Sequence, residues 1–494
     1  MKIEIHGLGA IKTATIDLKP LTTLIGPNNA GKTWLAYVLV AIFGPNGWEH
    51  YSKAYARGKL LRSYPLLDFA IEKILSENNT TIDLYEFAKE DGEKYFQNVA
   101  DFARTWLDSF MSSEFQNFSN MKFSLELADT KAAFLEEVEK FAYQSDSGGL
   151  FTIRKKRGDK TLYAFTSTSS EEEEQAEGKI PKEEIKERLT SAVFRILHRS
   201  LYPNVHVFPT ERTTFVTFPF GKQTSRKSAP PVDQKTMDVL GALQKSLQEL
   251  QELVGLDLES RVEETSKFVT GPVGNFVSMM GAAFKTGPKQ IERRLTKAKA
   301  DQRIQKYIDL SEVLEKNILC GGLDFSTPEP DPRRDILFQA TPDIKLELPI
   351  VSSMVKELAP LVIYLRYIAE PGELLVIDEP EMNLHPAAQI QIIEFLAMLV
   401  NAGLHILITT HSTFVIDHLA NLMEAHKHKN QDVIAEGFLL EQKEAFISQD
   451  KVSVYFVGGG EVKNILDPAG AIDWKTFSDV TALVERIHFE LLGE

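Results

Sequence analysis

The chain has 494 residues, a formal net charge of −15, 43% hydrophobic residues and one cysteine, Cys320. The length exceeds one ordinary compact domain, so two or three lobes are expected, and the negative charge argues against a protein that coats nucleic acid over its whole surface. A single cysteine excludes an internal disulfide and a cysteine-based metal site. The first residues do not read as a signal peptide, and no apolar run reaches the roughly 18 residues of a membrane span, so a cytoplasmic protein without a membrane partner is expected.

Three strands are predicted in the first 25 residues, at 2–5, 13–17 and 21–25, punctuated by Gly7-Leu8-Gly9 and Lys19-Pro20. Gly26-Pro27-Asn28-Asn29-Ala30-Gly31-Lys32-Thr33 follows, a G-x-x-x-x-G-K-T stretch. Residues 34–43 come next, apolar nearly all round, as a buried helix would be. Strand, glycine-rich loop and helix in that order make a phosphate-binding site. Gly26 and Gly31 let the backbone curl so that N–H groups point at phosphate oxygens, and the helix N-terminus adds positive potential. Lys32 is expected to neutralise the β- and γ-phosphates of a nucleotide, and the Thr33 hydroxyl to be a Mg²⁺ ligand. Gly44-Pro45-Asn46-Gly47 should end the helix.

Residues 49–200 read as a long, mainly helical insertion. Phe102, Trp106, Phe110 and Met111 share one helix face, a packing pattern. Runs at 149–154 and 160–165 flank Lys155-Lys156-Arg157-Gly158-Asp159 and predict a hairpin with a basic tip. Residues 167–177, which include the glutamates at 171–174, lack periodicity and read as a loop. A strand at 204–208 ends in Pro209-Thr210-Glu211-Arg212, and residues 221–231 read as a further loop. Leu240, Leu243, Leu247, Leu250 and Val254 repeat at spacings of three and four, one side of a helical hairpin or arm. Its partner would be a basic helix over 290–314 that carries Arg293, Arg294, Lys297 and Lys299. With the hairpin tip, that helix makes the concentrated basic surfaces and DNA a candidate partner.

From residue 335 the pattern is again α/β. Strands are predicted at 336–339, 344–348, 374–377, 405–409, 437–440 and 452–457, with helices from Ser353, over 387–400 and near 477–492. Leu374-Leu375-Val376-Ile377-Asp378-Glu379 is continuously apolar until two acids, as a parallel strand buried on both faces should be. At its carboxyl end Asp378 can reach the Mg²⁺ held by Thr33, and Glu379 can polarise the attacking water as general base. The run 406–410 is a second buried strand, ending in His411, where a γ-phosphate contact is expected.

These residues resemble the ABC-type ATPases, in the non-transporter branch that holds the SMC-like and overcoming-lysogenisation-defect (OLD) proteins. Residues 26–33 have the form of the loop that branch favours, Asp378-Glu379-Pro380-Glu381-Met382-Asn383-Leu384-His385-Pro386 looks like its Walker B and D-loop, and His411 like its switch histidine. Ser352 and Ser353 sit where the signature motif belongs, which implies a contact with the γ-phosphate bound by a partner subunit; Met354 stands where the family has glycine. Pro209-Thr210-Glu211-Arg212 is similar to a segment of anti-phage ATPases in this branch. The resemblance implies an α/β fold, a P-loop NTPase head of ABC type with a large mainly helical insertion. The head is expected at 1–48, 201–220 and 335–494, the insertion at 49–200 and the arm at 221–334. It implies head-to-head dimerisation and a separately encoded effector such as a nuclease, as in the PARIS and Septu anti-phage systems. No Asp-x-Asp pair follows His411, so no Toprim nuclease is expected within the chain. The alternative is the ATP-binding subunit of a membrane transporter, in which the loop and the two acids lie much closer along the chain than Lys32 and Asp378 do.

Overall fold

The computed structural model describes residues 1–113, 118–166, 180–217, 270–284, 288–324, 337–472 and 486–491. The chain opens with an antiparallel pair, β1 (Lys2–Leu8) and β2 (Ile11–Asp17), whose alternation turns Ile3, Ile5, Ala14 and Ile16 into the core. β3 (Leu21–Ile25) is buried at every position and runs through the glycine-rich loop into the helix Lys32–Phe43. That helix ends at Gly44 as expected. Pro45, however, starts the next helix, Pro45–Ala56, because the missing N–H of proline is no loss at a first helical position.

The insertion is mainly helical, with long helices Leu84–Ala103 and Lys182–Leu201, and it also carries strands that its sequence pattern did not reveal. β4 (Asn79–Asp83) and β5 (Lys122–Glu126) precede β6 (Tyr143–Asp146), β7 (Phe151–Lys155) and β8 (Thr161–Thr166). β7 and β8 form the predicted hairpin within a sheet ordered β4-β8-β7-β6, while β5 extends the main sheet beside β1. Phe102, Trp106, Phe110 and Met111 pack on the core as predicted, but across a break between the helices Leu84–Ala103 and Leu107–Phe110.

His198 locks the insertion to the head. Its Nε2 donates to the carbonyl of Ile42 at 2.9 Å and its Nδ1 accepts from the Tyr95 hydroxyl at 3.0 Å, so the neutral ring satisfies both partners. Burial holds its pKa down, at about 4 against an ordinary value of 6.5. The unfolded chain therefore takes up this proton first. The stability is intact above the unfolded value and is lost as pH falls from there towards the folded one. Unfolding by denaturant should show about 2 kcal/mol less stability from this group at about pH 5 than at about pH 7. The loss should be smaller by about that amount in His198→Asn, with the contribution of His405, whose pKa burial holds down in the same way, unchanged. An equal loss in the variant would assign the acid sensitivity elsewhere.

The remaining strands are β9 (Val205–Phe208), β10 (Gly322–Asp324), β11 (Leu337–Thr341), β12 (Ile344–Glu347), β13 (Leu374–Asp378), β14 (His405–Thr410), β15 (Val452–Gly458) and β16 (Glu461–Asn464). The main sheet is ordered β5-β1-β2-β16-β15-β3-β14-β13-β9, and β15, β3, β14, β13 and β9 run parallel. Both faces are covered. Leu374 and Val376 join the core shared with the insertion, while Leu375 and Ile377 join a second core under the helices Ser353–Tyr367, Pro386–Asn401 and Thr413–Lys427. The molecule is an α/β P-loop NTPase fold with a large, mainly helical insertion.

Several expectations change. Residues 437–440 form turns and no strand, because the buried Glu394 takes the N–H groups of Leu439 (3.1 Å) and Leu440 (2.7 Å) that a ladder would need. The basic helix is two, Pro288–Ala300 and Gln302–Val313, broken at the extended Asp301, which caps the second from its own side chain. Of the segment expected as an arm, Gly271–Phe284 packs on β9, and Gln302–Val313 packs on the helix Ser353–Tyr367. The leucine repeat at 240–254, the acidic stretch at 167–177, the loop at 221–231 and most of the last predicted helix lie outside the described residues.

Candidate functional site

In the sheet β14 lies between β3 and β13, and the three run parallel. Their carboxyl ends therefore stand side by side and bring together residues that the sequence holds far apart. A cleft of about 950 Å³ opens there, lined by residues 26–33 with Ala10, Trp34, Glu379 and His411. Gly26 is required by a close approach, since a Cβ there would lie 2.0 Å from the carbonyl oxygen of Val457 on β15. Gly31 has φ +99°, which a side chain would strain, and is the residue from which the helix Lys32–Phe43 starts.

Lys32 is 5% exposed, and its ammonium donates to the carbonyls of Gly26 (2.8 Å) and Pro27 (2.9 Å) in its own loop. Burial lowers its pKa, and Glu379, Asp378 and Glu381 oppose that shift. The result is a concentrated positive charge at the mouth of a backbone cradle, as phosphate binding needs.

Asp378 is fully buried at the end of β13 and accepts hydrogen bonds from Thr33 Oγ1 and Tyr37 OH, each at 3.2 Å, and from Thr409 Oγ1. Burial raises its pKa, the neighbouring Glu379 adds to the rise, and the three hydroxyls oppose it. A buried carboxylate whose bonded partners are neutral hydroxyls suits a divalent cation. Thr33 and Asp378 would fit as ligands of Mg²⁺. Among the described residues no cluster of His, Cys, Asp and Glu could hold a metal by itself.

Glu379 has φ +50°, unusual for a residue with a side chain. Its N–H is held by the carbonyl and the hydroxyl of Thr409, each at 3.1 Å. Its Oε1 lies 2.6 Å from Nε2 of His411, whose Nδ1 lies 2.9 Å from the Gly26 carbonyl and 3.3 Å from Lys32 Nζ. His411 thus links the acid to the loop. Glu381 holds His411 in place, because its Oε1 accepts from the Thr410 hydroxyl (2.6 Å) and from the N–H groups of His411 (2.8 Å) and Ser412 (3.3 Å).

Sequence reasoning missed Arg212, which is 1% exposed and lies directly behind the two acids. It donates to the carbonyls of Asp378 (2.7 Å) and Glu379 (2.9 Å) and pairs with Glu357 at 2.7 Å. The signal available was Pro209-Thr210-Glu211-Arg212 after a strand, whose role no local pattern shows. Tyr37, Thr409, Glu357 and Glu381 were missed in the same way, because each acts through a distant partner.

Ser352 and Ser353 do not line this cleft. They are exposed at the start of the helix Ser353–Tyr367, which Ser352 caps by accepting from Val355 N at 3.4 Å. The basic surfaces shrink by two members. Lys155 is buried and donates to the carbonyls of Glu139 and Phe141, both at 2.8 Å, which fastens the hairpin to a neighbouring helix end. Arg294 is buried against the end of the helix Ser353–Tyr367, donating to the carbonyls of Leu365 (3.3 Å) and Ala369 (2.7 Å). Lys297 pairs with Glu370 at 2.9 Å, while Arg154, Lys156, Arg157, Arg293 and Lys299 are exposed.

The family described as AAA ATPase domain matches residues 1–416 of the chain. No curated protein matches it. Similar solved structures include the Smc head bound to the C-terminal winged-helix domain of ScpA, at 11% identity over 94% of this chain and 96% of that one with a TM-score of 0.34. Another is the Smc head domain with an extended coiled coil bound to the C-terminal domain of ScpA derived from Pyrococcus furiosus, at 13% identity over 99% and 98% with a TM-score of 0.34. No described helix is long and apolar enough to cross a membrane.

Proposed function

This chain belongs to the AAA ATPase domain family, and on that premise we propose that it binds ATP with Mg²⁺ in the cleft, hydrolyses it, and works as a nucleotide-driven dimeric switch. The observation that carries the reading is the convergence of Lys32, Thr33, Asp378, Glu379 and His411 at the ends of adjacent parallel strands. The loop N–H groups and Lys32 take the phosphates. Thr33 and Asp378 would hold the Mg²⁺ that accompanies ATP, and the ion would neutralise charge on the phosphates. Glu379 accepts a proton from the attacking water, and His411, which touches Glu379 and the Gly26 carbonyl, orients that acid and meets the γ-phosphate.

The place of Ser352 and Ser353 supports the dimer. An exposed helix start outside its own cleft has N–H groups free to meet phosphate presented by another subunit. In this reading the ATP-engaged pair controls a separately encoded effector in anti-phage defence or DNA maintenance. DNA itself would meet the exposed cations around Arg157 and Arg293.

Two measurements on the purified chain test this. Phosphate release should be saturable in ATP and require Mg²⁺. Sedimentation should show a dimer that gains population with ATP and loses it with ADP. Absence of ATP binding at millimolar nucleotide would reject the catalytic reading, and a sedimentation pattern indifferent to nucleotide would reject the switch.

A further inference from the structure

We propose that Arg212 is a positioning residue for hydrolysis and that, through Glu357, it transmits the state of the helix Ser353–Tyr367 to the two acids of the site; this rests on the ATPase reading above. Arg212 is 1% exposed, at the start of the short helix Arg212–Thr217 that follows β9 and away from the cleft lining, so it does not touch nucleotide. Its guanidinium reaches four partners. Nη1 donates to the carbonyls of Pro209 (3.0 Å) and Asp378 (2.7 Å), Nη2 to that of Glu379 (2.9 Å), and Nε stands 2.7 Å from Glu357 Oε2.

Glu379 is thereby held from both sides. Thr409 fixes its N–H and Arg212 its carbonyl, around a Cα at φ +50°. A backbone in that sparsely populated region persists only where the surroundings over-determine it. With both flanking peptides held, the carboxylate can point in few directions, and here it points at His411. The planar fork of arginine reaches three carbonyls and a carboxylate at once, which the single ammonium of lysine cannot do.

Glu357 extends the connection. It is 1% exposed, and burial raises its pKa against the opposing charge of Arg212. Its other oxygen accepts from Asn383 Nδ2 at 2.8 Å, in the turn that follows the two acids, where Asn383 itself has φ +59°. One carboxylate thus binds the helix, the guanidinium and the turn. A buried ion pair contributes little stability beyond what apolar residues of the same volume would give, so stability alone is a poor reason for its presence. Glu357 lies one turn, about 6 Å along the axis, from Ser353 at the exposed helix start. A contact that shifts this helix end moves Glu357 and, with it, the carbonyls that orient Asp378 and Glu379. The helix start that faces a partner is therefore tied to the catalytic acid of its own subunit.

The test uses the full chain, with kcat expressed per nucleotide-binding site so that unfolded material does not count. Wild-type turnover in the same assay tests the ATPase reading itself, and the variants then test only Arg212 and Glu357. Arg212→Lys should lower kcat at least tenfold while the Kd for ATP stays within threefold of wild type. Glu357→Gln, which keeps the guanidinium bonds to the carbonyls and keeps the fold, should lower kcat at least fivefold with the same unchanged Kd. The double variant should be no slower than Arg212→Lys alone, as expected for residues that act as one unit. Should Arg212→Lys fail to fold, the Glu357→Gln result decides by the same criterion. Wild-type kcat per site in the folded variants, or losses that multiply in the double variant, would overturn the proposal.

Discussion

Glu379→Gln is expected to bind ATP as the wild type does and to turn it over at least a hundredfold more slowly, a loss of about 3 kcal/mol of transition-state stabilisation. The substitution keeps the shape of the side chain. An amide oxygen can still accept from His411 Nε2, 2.6 Å from the carboxylate in the wild type, and the backbone bonds to Thr409 and Arg212 do not involve the side chain. Only the ability to take a proton from water is lost. Nucleotide-bound protein should therefore accumulate, and in the proposed switch it should accumulate as the dimer. Single-turnover phosphate release and sedimentation with ATP measure the two effects together. A variant that hydrolyses within twofold of wild type would move the base role away from Glu379.

Lys32→Ala should weaken ATP binding at least a hundredfold. The loop N–H groups and the helix N-terminus would still face the phosphates, but the charge-assisted contact, roughly twice as strong as a neutral one, would be gone. Glu379, Asp378 and Glu381, whose charges act on the Lys32 ammonium, would lose their cation, so the cleft would repel an anion more strongly. The fold should survive, because the shorter bonds of Lys32 run to Gly26 and Pro27 within its own loop and its contact beyond the loop is to His411 in the cleft. Calorimetric titration with ATP and a thermal melt of the same sample separate the two. Affinity within threefold of wild type would show that the backbone cradle alone binds the phosphates.

The local parts of the site were legible because their chemistry is written in contiguous residues. The glycines, lysine and threonine of residues 26–33 must be neighbours for the loop to curl on phosphate. Residues 374–379 must be apolar and then acidic to cross the interior and end in two carboxylates at the cleft. The strands next to them follow from similar apolar runs, and β3, β9, β13, β14 and β15 lie within a residue or two of where the pattern puts them. The strands of the insertion, β4, β5 and β6, were missed because short, half-exposed edges carry little pattern. A run at 437–440 was misread because its β-like composition says nothing about Glu394, which takes its N–H groups from another helix.

Charge was the other limit. Lys155 and Arg294 look in sequence like members of basic surfaces, yet both are buried on backbone carbonyls, whereas Arg212, in a segment whose role no local pattern shows, holds the carbonyls of Asp378 and Glu379. Composition determines how many charges a chain has. Whether a given guanidinium faces water or satisfies buried carbonyls depends on which helix ends and strand ends meet it. Those meetings join residues far apart in the chain, so only the tertiary structure decides them.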